Sequence, residues 1–228
     1  LHQDCIQMDP KLFMTAMANA AESQGVTILR QSQATGLNLT GGRVSGVSLQ
    51  DGSTLPCSSV VLSTGAWTQK IMSEWLGYDL PVEPHGLQKV HISLDVGAPL
   101  NCAVRWNSVN IVGRRDGLVH AGSKYDPAGF ESKPSEEIRD WLLAQVASIM
   151  PGFKPSEVET IAAFAASTPN RIPLVGHLPG TDGVFLAVPS TDGFLMSAVL
   201  AEMTTALMVN GQSHQLMERS PLAQAKPR

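Results

Sequence analysis

Between residues 34 and 56 small, polar and β-branched residues alternate around two tight-turn pairs, Gly41-Gly42 and Asp51-Gly52. That pattern predicts an antiparallel β-meander with tight turns. Its flanks read differently. Asp9-Pro10 opens a helical stretch that Gly25 ends: Asp9 can cap it, Pro10 suits its first turn, and Leu12, Ala16 and Ala20 share a face. Val26-Thr27-Ile28-Leu29 then reads as a strand. After the meander, Val60-Val61-Leu62 predicts a buried strand, followed by a glycine turn and a helix over 68–76.

After Pro81 the texture changes. Residues 81–123 read as several β-strands, and 135–149 as an amphipathic helix. Ser135 marks its cap; Ile138, Trp141, Leu142 and Val146 mark its apolar face. A strand follows at 158–167, then a turn-rich run, a short strand at 184–188 and a last helix ended by Asn210-Gly211. Residues 212–228 read as a flexible tail. The expected fold class is α/β (α+β) in two lobes. The first holds 1–80 and 168–211; the second, β-rich with a covering helix, holds 81–167.

Composition narrows the function classes. With 16 Lys plus Arg against 20 Asp plus Glu, the net charge is −4, and no basic run invites nucleic acid. Cys5, Cys57 and Cys102 are odd in number and scattered, which argues against a disulfide framework or a zinc site and suits a reducing compartment. No signal peptide is visible, and the most apolar long stretch, 194–209, reads as too short and too polar for a transmembrane segment. Cytoplasmic location is the expectation. The six histidines lack ligand spacing, so no metal site is expected. GxGxxG, GxxxxGK[ST], HExxH and GxSxG are all absent from the 228 residues; GGRVSG at 41–46 reads as a hairpin turn.

Two segments stand out. VVLSTGAW (60–67) feeds a strand through small residues into a helix, a geometry that brings backbone amides to an anion. An ordinary strand-to-helix connection fits it as well. TPNRIPLVGHLPGTDGVFLAVPSTDGFLMSA (168–198) gathers three turn clusters around one strand and returns to a helix N-terminus. With MDPKLFMTAMANAAESQGVTIL, GGRVSGVSLQDGSTLPCSSVVLSTGAWT and IVGRRDGLVHAGS, these segments run in a recognisable order. The chain resembles FAD-dependent oxidoreductases of the D-amino-acid oxidase, glycine oxidase and sarcosine oxidase type over nearly all of residues 5–211.

The resemblance implies non-covalent FAD contacts at Ala34, at Thr64, Gly65, Ala66 and Trp67, at Gly176, and at Ser190, Thr191, Asp192, Gly193, Phe194 and Leu195. It implies hydride transfer from a carbon bonded to nitrogen in a small-molecule amine or amino acid. The sequence also departs from the family. The opening strand, GxGxxG turn and helix that hold the pyrophosphate are not found, so a missing N-terminal portion, weak or absent FAD binding and self-association are expected. Where several relatives carry a carboxylate-binding Arg this chain has Ala165, which leaves Arg114 and Arg171 as substrate candidates. A covalent-flavin Cys would fall near Ala163. STDG replaces the frequent SGHG, and N-capping by Asp192 would account for that carboxylate. The leading reading is an FAD-dependent oxidoreductase seen as a C-terminal portion. The alternative is a non-catalytic remnant or partner subunit that binds no flavin alone.

Overall fold

The computed structural model describes residues 8–94, 102–114, 116–150 and 152–227. Cys5 and the first seven residues of the expected first lobe lie outside them. Helix α1 (Pro10–Ser23) starts as expected: the Asp9 carboxylate accepts from the amides of Lys11 and Leu12 at 2.9 and 3.1 Å. Its apolar face is not buried, however, and Leu12, Met14 and Met17 all stay exposed. Residues 26–29 form no strand either, and Val26 and Leu29 are exposed. Propensity alone does not make a strand; a neighbouring ladder must satisfy its backbone groups, and none of the described strands pairs there. The meander forms as an antiparallel sheet of β1 (Ala34–Thr40), β2 (Arg43–Leu49) and β3 (Thr54–Pro56). β4 (Val60–Leu62) follows, then a 3₁₀ turn (Gly65–Trp67) that runs directly into α2 (Thr68–Leu76). Gly77, in the left-handed conformation, ends α2.

The β-rich middle supplies β5 (Glu83–Leu94), β6 (Ala103–Trp106), β7 (Val109–Gly113) and β8 (Val119–Asp126). After them come α3 (Glu136–Ile149) and β9 (Pro155–Ser167). The five strands make one sheet in the order β6-β7-β8-β5-β9. Alternation sends Val90, Ile92, Val109, Ile111, Val119 and Ala121 to one face, where Leu142 and Val146 of α3 cover them. Ser135 caps α3 through a bond from the Ile138 amide. Buried Gln88 bridges this helix end to the sheet, donating to Asp126 at 2.7 Å and accepting from the Ser135 amide at 2.9 Å.

The chain ends with β10 (Leu174–His177), β11 (Val184–Val188), α4 (Gly193–Asn210) and α5 (Gln215–Glu218). β10, β11 and β4 form a mixed sheet with β11 central, antiparallel to β10 and parallel to β4. Its core joins Leu62, Met72, Leu174, Leu178, Val184, Leu186, Val188 and Leu222. The expected loose tail is instead built in. Met217 and Leu222 are buried, and the Ser220 hydroxyl accepts from the Val175 amide at 3.1 Å. Two apolar anchors and one bond to a sheet amide hold the segment against the order-opposing chain entropy. Helix α4 has 18 residues rather than 16, and by length and composition alone is long and apolar enough to cross a membrane. Leu200 and Met203 pack it into a cluster with Val175 and Met217.

The chain divides into two compact units. One combines α1 with His85–Phe164; the other combines Thr27–Pro84 with the chain from Ala165 onward. Helix α1 therefore groups with the β-rich unit, not with the lobe expected for residues 1–80. Asp9 at its N-terminus forms a 3.2 Å ion pair with Arg114 of that unit.

Candidate functional site

Parallel pairing decides where the two motif loops emerge. Leu186 of β11 lies opposite Leu62 of β4, so both strands end at the same edge of the sheet. The loops after them therefore leave side by side, at the edge where α/β sheets take ligands. A cleft of about 350 Å³ opens there, lined by Val61 and Ser63, by Ala187 and Pro189, and by α4 from Gly193 to Met208. Ser63 and Gly193 thus meet in space, far apart as they are in sequence.

The loop into α4 is tied down from behind. The Ser190 hydroxyl accepts from the Thr168 amide at 3.0 Å, and the Thr191 amide donates to the Ala166 carbonyl at 2.8 Å. These bonds hold Thr191 at φ +53°, in the left-handed region. Such a conformation costs a β-branched residue roughly 1–3 kcal/mol. The Thr191 hydroxyl is moreover buried without a partner among the described residues, which costs about 1–3 kcal/mol more. Asp192 occupies the N-cap position of α4, yet its side chain accepts no bond from the first turn. Its ψ of 45° is far from the extended backbone that lets a cap carboxylate turn back onto the helix. Capping therefore does not account for Asp192. The unpartnered hydroxyl and the uncapped helix N-terminus leave hydrogen-bond donors without an acceptor at this loop.

The other loop is quieter. Thr64 and Thr68 share a hydroxyl bond of 2.9 Å, and Thr68 donates to the Gly65 carbonyl at 2.7 Å. Gly65 has φ +54°, Ala66 is buried, and Trp67 is half exposed. Phe194 and Leu195 are exposed on the first turn of α4. Ala34 and Gly176 are not brought to the cleft. Ala34 opens β1 opposite Leu49. Gly176, at φ +133°, lies against Leu222 and Met217.

The two substrate candidates fall in different units. Arg114 is engaged by Asp116 at 2.7 Å and by Asp9 at 3.2 Å, and the Asp116 bond raises its pKa further. Arg171 is exposed, in a 3₁₀ turn (Pro169–Arg171) at φ +56°. Neither lines the cleft. Among the described residues no group of three His, Cys, Asp or Glu side chains could hold a metal. Sequence reasoning missed a different group: His91 of β5 and His120 of β8 lie opposite each other, ring centres 5.5 Å apart. Only strand register reveals that pair.

Comparison with known proteins identifies the family. The FAD dependent oxidoreductase family profile matches residues 1–207. Glycine oxidase of Pseudomonas putida is 28% identical over 206 residues, which are 90% of this chain and 56% of the relative. Among solved structures, L-proline dehydrogenase from P. horikoshii aligns with a TM-score of 0.83 at 22% identity, over 95% of this chain and 60% of that one. Glycine oxidase from Bacillus cereus aligns with a TM-score of 0.77 at 19% identity, over 90% and 57%. The chain thus spans between half and two thirds of the length of these proteins. Profile, relatives and fold agree that the chain belongs to the FAD-dependent oxidoreductase family of the D-amino-acid oxidase type.

Proposed function

We propose that this chain contributes the flavin-ring side of the cofactor site, and a substrate-binding β-rich unit, to an enzyme that oxidises an amine or amino acid at the carbon bonded to nitrogen. When bound, FAD would supply the hydride acceptor. The observation that carries the reading is Thr191, strained and with an orphan hydroxyl, at the N-terminus of α4 on the edge shared by β4 and β11. There the loop from Ser190 to Leu195 would bind the flavin ring, and the positive end of α4 would favour negative charge on it. Apolar Val61, Ala187 and Pro189 would keep water from the cleft. The relatives named glycine oxidase and L-proline dehydrogenase support an amino-acid substrate.

Phosphate capture in such folds rests on a glycine-rich turn at a helix N-terminus, and the 228 residues contain no GxGxxG. This chain should therefore hold FAD weakly, and riboflavin about equally well. Titration of each against the chain, followed by flavin fluorescence, tests this. Gly193→Asp, which sets a carboxylate where charge gathers on the flavin, should weaken binding roughly tenfold. Tight, stoichiometric FAD binding would overturn the weak-capture claim. Unchanged affinity in Gly193→Asp would move the site elsewhere, and no response to either flavin would end the reading.

A further inference from the structure

The β-rich unit has a basic cluster that the flavin site leaves unused. Along β5, Val90 and Ile92 enter the core under α3, so Lys89 and His91 take the opposite face. His120 stands across from His91 on β8, and Gly122 stands across from Lys89. Glu159 of β9 lies 3.4 Å from His91 Nδ1. A carboxylate at that nitrogen selects the tautomer protonated there and leaves a lone pair on Nε2. His91 Nε2 is buried and has no partner among the described residues. The side chains of Lys89 and His120 likewise have no hydrogen-bond or ion-pair partner among the described residues.

The surrounding charges are unevenly used. Lys89, Arg114 and Lys11 are the cations that act on the cluster, and Glu159, Asp116 and Asp9 are the acids. Two of those acids are engaged by Arg114. Burial, then Lys89, His91 and Arg114, pushes His120 down to about 4. Burial, then Arg114 and Lys89, holds His91 below its ordinary value despite Glu159. Lys89 is lowered by burial, then by Arg114 and Lys11. Burial is the first cause of each shift and neighbouring cations the second, and a bound anion would act against both.

We propose that Lys89, His91 and His120 form a binding site for a small carboxylate anion on the face of the five-stranded sheet opposite α3. Lys89 supplies a standing positive charge. An imidazole takes a proton from solvent as the anion arrives and donates it in a charge-assisted bond. Binding is therefore coupled to proton uptake on the acid side of neutral pH, where these imidazoles titrate. Assigning the carboxylate to an amino-acid substrate rests on the function proposed above; the site itself does not, because it needs no flavin.

The experiment uses the flavin-free chain with acetate as probe. Imidazole resonances are titrated with pH by NMR, with and without acetate, and chloride serves as control. Calorimetry in two buffers of different ionisation enthalpy counts the protons. Acetate should raise the titration midpoint of His91 or His120 by at least about one unit, with net proton uptake. Lys89→Met and His91→Gln should each weaken acetate binding roughly tenfold. The proposal is overturned if the wild-type midpoints do not move, if chloride moves them as far as acetate does, or if both variants bind acetate like the wild type. A chain that binds acetate but no flavin would retain this site and reject the flavin reading, so the two can fail separately.

Discussion

Thr191 and His120 are ordinary residues whose surroundings make them unusual. A threonine at φ +53° with a buried, unpartnered hydroxyl persists only because Ser190 and Ala166 hold its loop from behind. His120 is kept neutral by burial and by cationic neighbours, with a folded pKa of about 4 against 6.5. Between those values the unfolded chain binds more protons, so stability rises with pH across the window and is lost on acidification. Urea unfolding should show a loss of about 2 kcal/mol from this group between pH 7 and pH 5. His120→Gln should remove about that much of the pH dependence. An equally steep profile in the variant would show that the proton uptake lies elsewhere. The family resemblance pointed to Thr191 but not to its strain, and nothing in the sequence singled out His120. The strain on Thr191 depends on a bond to residue 166, and the pairing of His120 with His91 depends on register.

Elements followed the sequence wherever their signals were local. Asp9, Ser135, Gly77 and Gly211 mark helix ends because a cap or a left-handed residue acts within a few positions. The meander and the strand–turn–helix at 60–76 were legible for the same reason. Residues 26–29 have strand composition but no ladder, and the apolar side of α1 stays exposed, since both depend on neighbours that local pattern does not describe. The segment after Gly211 failed in the opposite direction: polar composition concealed two core residues. Leu222→Ala should destabilise the unit around β11 by about 2–5 kcal/mol, as burial in a packed core requires. Chemical denaturation measures this directly, and a change within about 0.5 kcal/mol would return the segment to a surface tail.

At the scale of the molecule, β4 is the edge strand of its sheet, and nothing among the described strands pairs with its outer side. Val61 there is 37% exposed, and on α4 Leu195 and Val209 are 82% and 74% exposed. Unpaired backbone beside apolar surface invites association. Sedimentation velocity should show concentration-dependent association of this chain, reduced by Val61→Lys; a monomer at every concentration tested would contradict it. The order of helix, meander, β-rich middle and terminal helix was determined by the sequence alone, because turns, caps and hydrophobic alternation act over a few residues. So was the family, whose motifs are short and ordered. Tertiary structure decided what depends on distant partners. Parallel pairing of β4 with β11 set the two loops at one edge, packing grouped α1 with the β-rich unit, and register placed Lys89, His91 and His120 on one face. Each of these depends on a contact between residues far apart in the chain, and local pattern carries no record of such contacts.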